Sequence, residues 1–264
     1  MTDLIRCRHE AGIATLTLCD PPANTYSYEM MRELDACILE ARMDDAVHVL
    51  VLRGEGEKFF CAGANIKTLA SAEPCYKYYF CLHANETLNR LEQTPKLVIA
   101  ALNGHCVGGG LEVALAADLR FARKGAGKLG MPEVALGVLP GTGGTQRLLR
   151  LIGKSKAFEL MAAGRLIDFE EAHSLGLVNE VIDATDADEF MAKVIAKAQE
   201  FVPPARASKA VGLIKRAVLS GAESSFAEGL ALERELQQQL FISEDAREGL
   251  AANLEKRKPV FKGR

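Results

Sequence analysis

Two glutamates set among apolar residues and glycine turns mark where this sequence can do chemistry. Glu112 stands one residue after Gly108-Gly109-Gly110 and is flanked by Leu111, Val113, Ala114 and Leu115. Glu133 lies in Gly130-Met131-Pro132-Glu133-Val134-Ala135-Leu136, another apolar stretch. A lone glutamate is ordinarily a solvated surface residue, because a carboxylate buried without a partner is costly. Two of them in apolar settings near glycine loops make that bland reading much weaker and mark a candidate two-carboxylate site.

The second ingredient is backbone. Phe59-Phe60-Cys61-Ala62-Gly63-Ala64-Asn65-Ile66-Lys67 runs from a short apolar strand through glycine into a helix that Asn65 is suited to cap. Leu97 to Leu102 is followed by Asn103-Gly104-His105-Cys106-Val107-Gly108-Gly109-Gly110 and an apolar helix, Leu111 to Ala117. Each segment leaves the free N–H groups of a helix N-terminus at the end of a buried strand. Two such donors converging on one point form an oxyanion hole, worth about 3 kcal/mol per donor in a transition state. Tight turns and close packing explain any single glycine cluster equally well. The neighbouring carboxylates are what favour a site, and an acyl thioester is the substrate class whose oxygen would use it.

The elements that position these residues follow from periodicity. Ala14-Thr15-Leu16-Thr17-Leu18 alternates like a half-buried strand, with Leu4 to His9 as its partner across a Glu10-Ala11-Gly12 turn. Met31, Leu34, Ile38 and Ala41 recur at helical spacing behind Ser27, a suitable N-cap. Val47 to Leu52 and Leu97 to Leu102 are apolar throughout, as strands covered on both faces are. Alternation of such strands with helices predicts an α/β core. Past about Ile182 helical patterns take over; Ser225-Phe226-Ala227-Glu228 fits a capping box, with Leu232, Leu236 and Leu240 on one face behind it.

The 264 residues allow one large domain, and 48% hydrophobic with 25% charged residues is the balance of a chain with a real core. A net charge of -3 offers no general attraction for nucleic acid or anionic membrane, and no apolar run is long enough to cross a bilayer. Seven cysteines, an odd number without paired spacing, read as reduced thiols in a cytoplasmic protein. Gly153-Lys154-Ser155 has Leu148 where a P-loop needs its first glycine. There is no dinucleotide fingerprint, serine-hydrolase elbow or zinc motif. Among the scattered histidines only His105, inside a glycine cluster, is placed to matter.

Phe60-Cys61-Ala62-Gly63-Ala64-Asn65-Ile66, Asn103 through Gly108-Gly109-Gly110-Leu111-Glu112, and Met131-Pro132-Glu133-Val134-Ala135-Leu136-Gly137 resemble signature stretches of the crotonase superfamily. Pro140-Gly141-Thr142-Gly143-Gly144-Thr145-Gln146-Arg147-Leu148 and the tail from Glu248-Gly249 to Phe261 are similar to it too, so the likeness spans nearly the whole chain in order. The resemblance implies a spiral β/α catalytic core over residues 1–200 and a C-terminal helical region, residues 201–264, that builds homotrimers, often paired into hexamers. It implies an acyl-CoA substrate and the amides of Ala64 and Gly109 as the oxyanion hole. Glutamate at both 112 and 133 implies an enoyl-CoA hydratase, adding water reversibly and syn to a trans-2-enoyl-CoA to give a 3-hydroxyacyl-CoA. Glu112 then mainly activates water and Glu133 mainly protonates the α-carbon, without a metal or redox cofactor.

The same resemblance assigns contacts with substrate and coenzyme A to Ala62, Ile66, Lys67, Lys258 and Phe261. Lys256-Arg257-Lys258 is equally well read as a basic helix end suited to the macrodipole. Alternatives within the superfamily are an enoyl-CoA isomerase, or a hydratase of a branched or dicarboxylic acyl-CoA such as methylglutaconyl-CoA. A non-catalytic RNA- or protein-binding module is the alternative of another class, and the net charge and scattered lysines count against it. Three features depart from the superfamily pattern: Asn65 in place of a common aspartate, the Thr25-Tyr26 pair, and one extra residue in the Arg123 to Lys128 turn.

Overall fold

A computed structural model describes residues 3–264. An antiparallel hairpin opens the described chain: β1 (Ile5–Glu10) pairs with β2 (Ile13–Leu18), and Ala11 and Gly12, both at positive φ, make its turn. Helix α1 (Tyr28–Met43) follows, and the Ser27 side chain accepts from the Met30 amide as its cap. Met31, Leu34, Ile38 and Ala41 are its buried stripe, as their spacing predicts.

One pattern then repeats three times. β3 (Val49–Gly54) leads to β4 (Phe59–Cys61), β5 (Leu97–Leu102) to β6 (His105–Val107), and β7 (Leu119–Arg123) to β8 (Lys128–Gly130). The first strand of each pair joins a six-stranded sheet of order β1-β2-β3-β5-β7-β10, in which β10 is Glu180–Ile182. The second joins a four-stranded sheet of order β4-β6-β8-β9, in which β9 is Ile167–Asp168. Within each sheet the strands from successive turns run parallel, so the chain climbs as a spiral of stacked turns.

The two continuous apolar runs are explained by burial on both faces. Leu50, Leu52, Val98 and Ala100 face the interior shared with α1. Val49, Val51, Ile99 and Ala101 face Phe190 and Val194 of the helix Ala187–Gln199 on the outside. Between the strands, α2 (Ile66–Ala70) and α3 (Pro74–Glu92) follow β4, and α4 (Gly109–Leu115) follows β6. A 3-10 turn, Glu133–Leu136, follows β8. Next come α5 (Gly144–Ile152), α6 (Lys154–Ala163) and α7 (Phe169–Ser174), which make the outer helix Ala187–Gln199 α8.

From Pro203-Pro204 onward the chain forms helices α9 (Ser208–Ala222), α10 (Phe226–Phe241) and α11 (Glu244–Leu254). Ser225 and Glu228 make the expected capping box, but only Leu236 of the three leucines behind it is fully buried in the single chain. Helix α9 is tied to the core by Lys215, whose ammonium lies 2.9 Å from the Asp118 carboxylate. The tail returns to α11, where the Asp245 carboxylate accepts from the amides of Lys262 at 2.7 Å and Gly263 at 2.8 Å.

The cysteine reading needs correction: Cys7 and Cys37 form a disulfide, with the other five cysteines free. They are 30 positions apart, and the packing of β1 on α1 brings their Cα atoms to 6.4 Å. No local spacing reports such a contact. Among the described residues no helix is long and apolar enough to cross a membrane.

Candidate active site

The site begins where two turns of the spiral touch. Gly110, in the first turn of α4, lies so close to β4 that an added Cβ would stand 2.0 Å from the Cys61 carbonyl oxygen. Gly63 takes a φ of +85°, open to glycine at little cost, and a Cβ there would stand 2.9 Å from the Gly109 amide nitrogen. The segments carrying Ala64 and Gly109 are therefore in contact.

Both amides are left over by the local hydrogen bonding. Tyr26 and Ala64 form an isolated parallel bridge, in which Tyr26 donates to the Gly63 carbonyl at 3.0 Å and Asn65 donates to the Tyr26 carbonyl at 3.3 Å. That pattern makes no use of the Ala64 N–H. Gly109 is the first residue of α4, where an N–H has no carbonyl one turn back to bond. Asn65 caps α2 as its sequence position suggests, accepting from Lys67 and Thr68.

One turn into α4, Glu112 is 2% exposed. Its Oε1 accepts from the amides of Thr142 at 2.7 Å and Gly144 at 2.8 Å, and its Oε2 accepts from the Thr142 hydroxyl. Gly144 opens α5, so a helix N-terminus faces this carboxylate. The Tyr26 hydroxyl lies 3.2 Å from Thr142 Oγ1.

Glu133 comes from a different element, at the start of the 3-10 turn. Its Oε1 lies 3.0 Å from the position of a Cβ on Gly108, the residue before Gly109. Its Oε2 is buried without a hydrogen-bond partner. Burial pushes this carboxyl up to about 7 from its ordinary 4.5. The hydrogen bond to its own backbone opposes the shift, the Glu112 charge adds to it, and the Lys77 ammonium on α3 works against it. Two carboxyls thus sit in one cleft in different environments, one answered by three donors and one largely desolvated.

The fold brings Glu112, Glu133, Ala64 and Gly109 to one place. Ala62 lies on the adjoining connection from β4 to α2, and Ile66 and Lys67 open α2, with Ile66 60% exposed. Lys258 and Phe261 belong to the tail: the Phe261 amide donates to Pro204 at 3.2 Å, and its ring lies against Gly249. Of the basic run, Arg257 is engaged with Glu248 and Glu255. His105 serves the fold, its Nδ1 accepting from the Lys128 amide at 3.1 Å across β6 and β8. Thr142, the Gly144 amide and Tyr26 are the site residues that the sequence reading does not single out. The first two lie in the Pro140 to Leu148 stretch, which carries the family resemblance without revealing what each residue touches. Tyr26 stands out in sequence only as a departure from the superfamily pattern.

Such a cleft can polarise a carbonyl with two amides while one carboxyl accepts a proton and the other delivers one. Comparison with known proteins shows the family. The family model for enoyl-CoA hydratase/isomerase matches residues 8–264. A probable enoyl-CoA hydratase of Bacillus subtilis (strain 168) is 40% identical over 252 residues, covering 95% of each chain. A short-chain-enoyl-CoA hydratase of Clostridium acetobutylicum is 36% identical over 254 residues, covering 94% of each. A solved enoyl-CoA hydratase structure from Geobacillus kaustophilus HTA426 superposes with a TM-score of 0.95 at 44% identity, covering 100% of this chain and 98% of that one. With its signature segments folded around one cleft and the match running nearly end to end, this chain belongs to the enoyl-CoA hydratase/isomerase family.

Proposed function

We propose that the protein is an enoyl-CoA hydratase that adds water across the double bond of a trans-2-enoyl-CoA. The observation that carries this reading is the contrast between the two carboxyls. Glu112 accepts three hydrogen bonds, which hold its carboxylate in one place as an acceptor for the proton of water. Glu133, held up to about 7, keeps a substantial protonated fraction at neutral pH and can give its proton away.

In the forward direction the thioester oxygen binds between the Ala64 and Gly109 amides, which stabilise the charge that develops there. The water oxygen bonds to the β-carbon as Glu112 removes a proton from it. The α-carbon takes the proton of Glu133. The addition is redox-neutral, so the step needs no electron acceptor, and polarisation of the carbonyl is assigned to the two amides. The proton count of the pair is unchanged, having moved from Glu133 to Glu112, and exchange with solvent resets it.

Coenzyme A binding is assigned in this reading to Ala62, Ile66 and Lys67 beside the cleft. Lys258 and Phe261 act from the tail, in the same chain or across a subunit boundary. Homotrimers or hexamers are the assembly proposed, and the exposed Phe226, Phe241 and Ile242 of the C-terminal helices are the kind of surface a partner copy would cover. The cytoplasm is the location proposed.

The test is an assay of the purified protein against a panel of enoyl-CoA esters, following loss of the conjugated double bond and formation of the 3-hydroxy product. Glu112→Gln is expected to lower turnover by at least about 100-fold while coenzyme A binding survives. Near-normal hydration by that variant removes Glu112 from the reaction, and double-bond migration without water addition makes the enzyme an isomerase.

A further inference from the structure

Tyr26 is an unusual neighbour for this cleft. It is 3% exposed, and its ring is stacked on Phe80 of α3 with centroids 5.8 Å apart. Its edge also presses on the Gly109 backbone: a Cβ at Gly109 would stand 2.3 Å from the Tyr26 hydroxyl oxygen. Glycine at 109 is thus required by the tyrosine as well as by any substrate. The hydroxyl itself reaches Thr142 Oγ1 at 3.2 Å, and Thr142 in turn reaches Glu112 Oε2.

The direction of these bonds follows from the number of protons. A carboxylate only accepts, so the single Thr142 hydroxyl proton must point at Glu112. Oγ1 then offers Tyr26 only a lone pair, and the phenol must donate. Burial, reinforced by the Glu112 charge, holds the phenol far above its ordinary range, so the O–H persists at any working pH. A donor into Oγ1 polarises the outgoing O–H and strengthens the bond it makes.

The geometry points to Tyr26 as a positioning residue for Glu112, its O–H orienting the Thr142 hydroxyl onto the carboxylate that takes the proton of water. This rests on the hydratase reading for the role of Glu112. The chain Tyr26 to Thr142 to Glu112 leaves the Thr142 and Gly144 amides to hold Oε1, so the carboxylate is fixed at both oxygens. The ring of Tyr26 packs on Gly109, and the effect assigned to its O–H passes through the Thr142 hydroxyl.

The test is a double-mutant cycle in steady-state hydration of a short trans-2-enoyl-CoA, with Tyr26→Phe combined with Thr142→Val and with Thr142→Ser. Tyr26→Phe keeps the ring on Phe80 and against Gly109 and removes one hydrogen bond. It is expected to lower kcat about 3- to 10-fold with KM little changed, the size of one neutral hydrogen bond. The same loss is expected in the Thr142→Ser background, which retains a hydroxyl. No further loss is expected in the Thr142→Val background, where there is nothing left to orient. Unchanged kcat, an equal loss with valine at 142, or a Tyr26→Phe chain that does not fold would each overturn the assignment. Glu112→Gln separates the two readings: if it is inactive while Tyr26→Phe is normal, only the Tyr26 role fails. If it stays active, the hydratase mechanism itself fails. Should the wild type migrate double bonds instead, the same cycle read on that reaction tests the coupling.

Discussion

Replacing Glu133 by glutamine keeps the side chain's shape and removes its proton equilibrium, so stability and activity should respond in opposite directions. The folded protein holds this carboxyl up to about 7, against 4.5 ordinarily, so between those values the folded state binds a proton that the unfolded chain has released. The stability contributed by that proton is fully present below about 4.5 and is lost as pH rises through about 7. At about 1.36 kcal/mol per pH unit the whole interval corresponds to roughly 3 kcal/mol. The side chain is only part-buried, and solvent screening brings the expected effect to about 1–2 kcal/mol. Urea unfolding of wild type and Glu133→Gln at pH 5 and pH 8 measures it, because pH effects from other groups are common to both. The variant should gain about 1–2 kcal/mol on the wild type over that interval, while its hydration turnover falls at least about 100-fold. A stability difference that does not change with pH would refute the raised carboxyl. Near-normal turnover would refute its part in the reaction.

Three other outcomes are expected. The kcat/KM profile should fall about tenfold per pH unit above about pH 7, in hydration and dehydration alike, because one proton is shared by the pair in both directions; a profile level to pH 9 contradicts this. Gly110→Ala places a Cβ 2.0 Å from a backbone oxygen that no rotamer change can move, so a loss of about 3 kcal/mol or more is expected from urea unfolding or soluble yield. The Cys7–Cys37 bridge closes 30 positions of chain and should contribute about 3–4 kcal/mol. A reductant should lower the urea midpoint of the wild type and leave Cys7→Ser unmoved, and equal midpoints for all three would count against the bridge.

Much of the architecture is legible from local pattern. The stripe of Met31, Leu34, Ile38 and Ala41 specifies α1, and Ser27 marks its start, because helix periodicity and capping act within a few residues. Leu97 to Leu102 reads as a doubly covered strand because every position in it is apolar, and all six are buried. The placement of Glu112 and Glu133 in apolar segments beside glycine turns is likewise a local signal, and it finds the cleft. The family resemblance adds the reaction, which no periodicity contains.

What local pattern does not carry is which residues meet across turns of the spiral. Glu112 is answered by groups 30 and 32 positions away, from Thr142 and Gly144. Tyr26 reaches the same network from 116 positions away, and Cys7 finds Cys37 only because β1 packs on α1. Hydrogen bonding and desolvation are contact effects, set by the distances between atoms rather than by the order of residues. The sequence by itself therefore determined that two carboxylates stand in apolar settings close to glycine turns. Only the tertiary structure decided that one carboxyl would be held by three donors and the other left to be raised by burial, the difference on which their proposed roles rest.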